Sequence, residues 1–196
     1  QLMQVNGQDR EEALEKLDSQ HAGSFLQVRW DWLADFIERA GETRLGIPLI
    51  LGNDCIHGFS FWKDATILPT QLAAACSWNT DLIEQGARIT AEEMVQSGCS
   101  WTFSPVLCIT RDLRWGRVGE TFGEDPYLIG EFGAAMIRGY QGEDLSAVNS
   151  VLACAKHYAG YSETLGGRDA SEAELSRRKL KSFFLPPFQR AVEAGV

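Results

Sequence analysis

The chain alternates short, uniformly apolar runs with longer stretches in which apolar residues recur at helical spacing. Four of the apolar runs have the length of a strand and are bounded by turn residues, so they predict buried strands. These strands cover residues 23–28, 47–54, 101–110 and 151–159. Because both faces of each run are apolar, we expect the strands to be covered on both sides.

The stretches between these runs predict helices, since their apolar residues fall on one face. The helices cover residues 29–43, 77–98, 126–140 and 176–195. Ser77 or Asn79 is placed to cap the second of them, and Asp125 is placed to cap the third. Pro186 and Pro187 predict a break or kink inside the fourth. The opening residues, QLMQV, also predict a helix.

Alternating strands and helices indicate parallel βα units, which build either a doubly wound sheet or a (β/α)8 barrel. No GxGxxG or Walker motif follows the first strand, and this argues against a nucleotide-binding fold. A complete barrel needs about 250 residues and eight units. With four predicted strands, and a fifth beginning near Val196, we expect an α/β fold: the first half of a (β/α)8, TIM-like barrel over residues 1–196.

Composition narrows the choice of partners. The formal net charge of −9 argues against nucleic acid, which is bound by basic surfaces. No apolar run approaches the roughly 20 residues of a membrane span, and no signal peptide is recognisable. Five cysteines without a CxxC spacing indicate free thiols rather than a disulfide framework or a zinc site. We expect no metal and no cofactor.

Candidate chemistry lies at the ends of the predicted strands, where barrel enzymes place their active sites. Asp54 follows the second strand, either as an acceptor for ligand hydroxyls or as a turn cap. Lys156 and His157 end the fourth strand. Successive strand residues point to opposite faces, so both can face one pocket only through a bulge or a cis peptide. The alternative places Lys156 at the rim and His157 in the wall.

Two loops also contain candidate functional residues. RDLRWGRVGETFGED (111–125) mixes both charges and predicts an ion-pair network that mostly holds the loop in shape. Either the whole network has this role, or one arginine faces the pocket and binds hydroxyls or carboxylates. YSETLGGRDAS (161–171) either covers the mouth of the pocket or is a plain connection.

These motifs, in this order, resemble the N-terminal domain of glycoside hydrolase family 3. The resemblance covers nearly the whole chain. It is carried by the segments IPLILGNDCIHG, ATILPTQLAAACSWN, TFSPVLCITRDLRWGRVGETFGEDPYLIG, AKHYAGY and LPPFQRAVEAG.

The resemblance implies a retaining, exo-acting hydrolase that removes one sugar, usually glucose, from a non-reducing end. It maps the residues that hold this sugar in subsite −1 onto Asp54, Arg117, Lys156 and His157. Glu120 matches a carboxylate that supports Arg117. The family also carries a cis peptide at the Lys-His step, which is the departure from a regular strand that the geometry requires.

The sequence departs from the family at two points. Leu113 stands where proline is usual. The family's nucleophile is an Asp in an SDW or SDH motif, and neither motif occurs here. We therefore expect no catalytic residue in this chain, with the nucleophile and the acid/base beyond Val196. The chain is then the N-terminal part of a larger or split enzyme, whose remainder is a partner and without which this chain is inactive.

The same residues fit other functions. A pocket that binds sugar without chemistry fits the missing nucleophile, and a β-xylosidase of the same family fits the motifs equally. A metal-dependent hydrolase using His21, His57 and Asp54 is disfavoured, because the HxH expected at the first strand is missing. The stretch KHYAGYS argues against the N-acetylglucosaminidases. A homodimer is left open, and periplasmic or secreted localisation is favoured over cytoplasmic.

Overall fold

A small parallel sheet forms the centre of the fold. The computed structural model describes residues 2–4 and 9–196. The strands are β1 (Leu2–Gln4), β2 (Ser24–Leu26), β3 (Ile50–Asn53) and β4 (Trp101–Thr102). They pair in the order β1-β2-β3-β4, each parallel to the next. The predicted α/β class with a parallel sheet is confirmed. The described strand order shows no reversal of the kind that marks a doubly wound sheet, and the half-barrel stays a prediction.

Helices follow the strands. They are α1 (Arg10–Gln20), α2 (Leu33–Glu42), α3 (Gln71–Ala75), α4 (Thr80–Gln96), α5 (Pro126–Gln141), α6 (Arg177–Lys179) and α7 (Pro186–Glu193). Asn79 caps α4, and Asp125 caps α5 by accepting a hydrogen bond from the backbone of Leu128. A π-helical turn over Leu180–Phe184 separates α6 from α7, so the break predicted near Pro186 is confirmed.

The start of the chain differs from the prediction. Leu2–Gln4 form a strand paired with β2, not a helix, while Gln1 and Val5 lie outside the described residues. A short apolar run has no period that separates strand from helix, and here the neighbouring strand supplies the hydrogen bonds. The first helix, α1, begins at Arg10. It contains many charged residues, and Asp9 caps its N-terminus.

The predicted third and fourth strands are less regular than expected. Only Trp101–Thr102 form a ladder in the third. The fourth, predicted over residues 151–159, touches its neighbour through single parallel bridges, Trp101 with Leu152 and Val106 with Lys156. Pro105 lies between these bridges and has no N–H to donate, so a continuous ladder cannot run through it. Both segments nevertheless lie side by side.

The core lies between the sheet and the helices. Its fully buried large apolar side chains are Phe25, Phe36, Leu51, Phe59, Met94, Leu107, Ile109, Ile129, Ile137 and Tyr140. α4 and α5 approach so closely at Gly139 that an added Cβ would lie 2.3 Å from the backbone oxygen of Glu84. This contact fixes α5, and with it the loop that precedes it, against the rest of the fold.

All five cysteines are free thiols, and three of them are buried. In residues 2–4 and 9–196 no helix is long and apolar enough to cross a membrane. The same part of the chain holds no group of three or more histidine, cysteine or acidic side chains arranged to bind a metal ion.

Candidate functional site

The ends of β3 and of the 151–157 segment meet, and their polar residues form an ion pair. Lys156 Nζ donates to Asp54 Oδ1 at 2.5 Å, with 13% of the lysine side chain and 30% of the aspartate side chain exposed. Gln27, just after β2, donates to the other carboxylate oxygen at 3.4 Å. Asp54 is therefore a bound carboxylate at the carboxyl edge of the sheet rather than a simple turn cap.

The Lys156–His157 peptide bond is cis. Lys156 contacts Asp54, while the ring of His157 lies 4.6 Å from that of Tyr161 and its Nδ1 lies 3.5 Å from Cys108 Sγ. The backbone therefore departs from a regular strand at this step, which is the condition that the sequence set for both side chains to face one pocket.

Arg117 is the arginine of the 111–125 loop that turns toward this group. Its Nε and Nη2 donate to the two carboxylate oxygens of Glu120 at 2.9 and 2.7 Å. A 3₁₀ turn over Val118–Glu120 begins directly after Arg117 and brings the carboxylate to the guanidinium. The hydrogen bonds to Glu120 raise the pKa of Arg117, so its charge is fixed. The remaining amine, Nη1, donates to Tyr161 Oη at 3.2 Å.

The 161–171 loop holds Arg117 from the other side. Tyr161 Oη donates to Asp169 Oδ1 at 2.6 Å, and Trp115 Nε1 donates to the same oxygen at 2.9 Å. Gly167 packs against the backbone at Arg114, where an added Cβ would lie 2.8 Å from the carbonyl carbon. The loop therefore packs against the RWGR loop beside the candidate site, and its cover of a pocket mouth stays a prediction.

His157 is neutral at ordinary pH. Burial of the ring, followed by the charges of Arg117 and Lys156, lowers the pKa of His157 to about 4. The carboxylates of Glu120 and Asp54 act in the opposite direction but more weakly. The imidazole therefore lies within the field of two ion pairs without adding a third positive charge.

Other charges of the 111–125 loop stay apart from this group. Asp112 pairs with Arg114 at 2.6 Å on the surface, which lowers the pKa of Asp112 to about 2. Arg111 pairs with Glu163, which Lys179 also contacts. These pairs hold the loop in shape, as predicted for most of the network.

The two other histidines lie elsewhere. His57 lines an apolar cavity of about 200 Å³ between the β3 loop and α4, and its backbone oxygen accepts from Leu68. His21 caps the end of α1. The structure does not bring His21, His57 and Asp54 together as a metal site in the part of the chain that it describes.

Sequence reasoning missed three members of the group: Cys108, Tyr161 and Asp169. Cys108 falls within an apolar run, where nothing separates it from its neighbours. Tyr161 and Asp169 lie in a loop without a period. Their one signal is their place in polar loops that follow predicted strands.

The assembled group is suited to a neutral, hydroxyl-rich ligand. A lysine and an arginine offer donors, each held in place by a carboxylate, and a neutral imidazole lies close enough to both for their charges to act on it. Carboxylates with free lone pairs can accept from the same ligand. Because each charge is already compensated, the group does not select for an anion.

Comparison with known proteins identifies the family. The description "Glycosyl hydrolase family 3 N terminal domain" matches residues 1–196. The chain belongs to glycoside hydrolase family 3.

Similar family 3 proteins are glycosidases. The chain is 37% identical over its full length to a beta-xylosidase of Formosa agariphila, covering 28% of that protein. A solved β-glucosidase involved in saponin metabolism from intestinal bacteria is 54% identical over 99% of the chain and 25% of its own, with a TM-score of 0.91. The β-glucosidase of Listeria innocua in complex with glucose is 33% identical over 99% of the chain and 29% of its own, with a TM-score of 0.86. The chain thus spans between a quarter and a third of these relatives.

Proposed function

We propose that the chain supplies the sugar-binding side of subsite −1 in a retaining, exo-acting β-glucosidase of family 3. Asp54, Arg117, Lys156 and His157 bind the terminal sugar, and Glu120 supports Arg117. The observation that carries this proposal is the Lys156–Asp54 ion pair, formed at the carboxyl edge of the sheet beside the Arg117–Glu120 pair.

The chemistry of the group supports this assignment. Most polar groups of a terminal glucose are hydroxyls, which both donate and accept hydrogen bonds. Lys156 and Arg117 donate, and the oxygens of Asp54 accept. Contacts that tighten as the sugar ring flattens toward its transition state accelerate the reaction rather than only strengthening binding.

The proposal leaves the bond-breaking groups to other parts of the protein. A retaining mechanism needs two carboxyl groups about 5–5.5 Å apart on either side of the glycosidic bond, one as nucleophile and one as acid. Asp54 and Glu120 each form an ion pair with a cation. A carboxylate paired in this way is suited to binding and support rather than to proton transfer. The chain alone is then expected to be inactive, as the first part of a barrel completed elsewhere.

Glucose is the proposed sugar, and xylose is the second candidate. The 54% identical structure and the complex with glucose favour a β-glucosidase. The Formosa agariphila relative, named a beta-xylosidase, favours the second. Xylose lacks the hydroxymethyl group of glucose. The values of kcat/KM for a β-glucoside and a β-xyloside therefore separate the two candidates.

The test uses the intact protein that carries this chain, with chromogenic β-D-glucosides and β-D-xylosides at equal concentration. We expect a higher kcat/KM for the glucoside, with the β-anomer as the first product in proton NMR. A higher value for the xyloside would establish the second candidate. Glucose binding by calorimetry without turnover of either substrate would identify a sugar-binding module instead.

A further inference from the structure

We infer that Cys108 is a positioning residue that holds the imidazole of His157 in the tautomer with its proton on Nε2. The role of that proton in binding sugar rests on the proposed function, whereas the tautomer itself does not.

The thiol is placed to contact His157 twice. Cys108 Sγ lies 3.5 Å from His157 Nδ1, and it accepts a hydrogen bond from the backbone N–H of His157 at 3.4 Å. Only 4% of Cys108 is exposed. Two contacts to one residue fix the ring relative to the sulfur.

The surroundings of the sulfur are apolar. Cys108 clusters with the buried Val106 and Trp115, and Ile56 and Val118 pack against this cluster. Burial raises the pKa of the Cys108 thiol to about 11, so the sulfur carries its proton. In the described part of the chain, His157 Nδ1 is the acceptor that lies within reach of that proton.

Counting donors and acceptors then assigns the tautomer. With the proton on Nε2, the sulfur accepts the backbone N–H of His157 and donates its own proton to Nδ1, so both groups are satisfied. With the proton on Nδ1, the sulfur would accept twice and its S–H would be buried without an acceptor. An unsatisfied buried donor is unfavourable.

The tautomer of His157 determines how a ligand hydroxyl can bind to its Nε2. Nε2 has no protein partner among the residues that the structure describes, and in this tautomer it is a neutral donor. A sugar hydroxyl facing His157 is then bound as an acceptor. In the other tautomer Nε2 would accept, and the same hydroxyl would have to donate. Cys108 thereby sets the direction of one hydrogen bond in the site without touching the sugar.

The first test is spectroscopic and needs no activity. Subtracting the infrared spectrum of Cys108→Ala from that of the unaltered protein isolates the S–H stretching band of Cys108. We expect this band at lower frequency than that of a thiol without an acceptor, and we expect it to move to higher frequency in His157→Ala. The buried Cys99, isolated in the same way, is the control and should not respond to His157→Ala. A Cys108 band that His157→Ala leaves in place would overturn the assignment.

The second test is kinetic and compares two substitutions of Cys108. Cys108→Ala should lower kcat/KM by about three- to tenfold, the range of one hydrogen bond, while Cys108→Ser should restore most of it because its hydroxyl can donate to Nδ1. Equal losses in both variants, at unchanged Tm, would contradict the positioning role. If the intact protein turned over no glycoside, the proposed function would fail, while the infrared result would still decide the tautomer.

Discussion

Two groups of ion pairs in this molecule have nearly the same geometry and different surroundings. Between α1 and α2, Arg39 pairs with Asp18 at 2.6 Å and Arg10 with Asp35 at 2.5 Å. At the candidate site, the Lys156–Asp54 contact is 2.5 Å long and the Arg117–Glu120 contact 2.7 Å. Distance alone does not tell the two groups apart.

The two groups of ion pairs differ in solvent exposure and in their neighbours. The side chains of the α1–α2 pairs are between 36% and 47% exposed and line an open groove of about 400 Å³. Those of the site are at most 30% exposed, and they share neutral neighbours, His157 and Tyr161. Water screens the first group, so its pairs contribute little. We expect each substitution at the site to change ligand binding, and the matching substitution between α1 and α2 to leave it unchanged.

The largest effect is expected for Lys156→Ala. It removes the proposed donor to the sugar and leaves the carboxylate of Asp54 without its cation, and the loss of one partner from such a pair costs about 10²-fold or more in affinity. We expect kcat/KM for the β-glucoside to fall by about that factor in the intact protein. Arg39→Ala is the matched control and should not change it. An unchanged kcat/KM in Lys156→Ala would contradict the site assignment.

Arg117→Lys should have the next largest effect. The charge is kept, but an ammonium cannot bind both oxygens of Glu120 and the hydroxyl of Tyr161 in the planar arrangement of a guanidinium. Since a hydrogen bond to a charged group contributes about 1.5–3 kcal/mol, we expect kcat/KM to fall by about tenfold or more. Arg39 also binds its partner through Nε and Nη2, so Arg39→Lys tests whether the effect belongs to the site or to any bidentate arginine.

A smaller effect is expected on folding stability, through the titration of His157 with pH. Because the pKa of His157 is lowered to about 4, its ring proton signals should titrate near that value in NMR, identified by their loss in His157→Gln. Between pH 4 and about 6.5, the ordinary value for histidine, the unfolded chain binds more protons at this residue than the folded one. The contribution of His157 therefore makes stability fall as pH falls through this window. A midpoint at 6.5 or above would contradict a ring that is buried beside Arg117 and Lys156.

The sequence predicted the parts of the molecule that depend on local patterns. The spacing of apolar residues gave the predicted places of α2, α4 and α5, and Asn79 and Asp125 cap helices as expected because capping needs only neighbouring residues. That Asp54 and Lys156 lie at the same edge follows from the parallel order, since parallel strands of one sheet all end at the same edge, although the segment 101–106 lies between their two strands.

Other features depend on the path of distant segments and left no local signal. β1 is a strand because β2 lies beside it, not because QLMQV has a strand pattern. Tyr161 and Asp169 reach Arg117 and Trp115 through a loop whose course no period specifies. The subsite roles of Asp54, Arg117, Lys156, His157 and Glu120, and the completion of a barrel outside this chain, remain predictions for the experiments above.

The smallest effect on stability is expected for Asp18→Asn, a substitution at the surface. The guanidinium of Arg39 lowers the pKa of Asp18. The stabilisation by this pair is therefore fully present above the ordinary pKa of an aspartate and is lost as pH falls through the lowered pKa. Because both side chains are well exposed, we expect Tm to change by about 2 °C or less, with the difference shrinking as salt is added. The measurement is thermal unfolding at low and high salt, with kcat/KM followed in parallel. A loss of kcat/KM comparable to that of Arg117→Lys would mean that burial and shared neutral neighbours are not what separates the two groups of ion pairs.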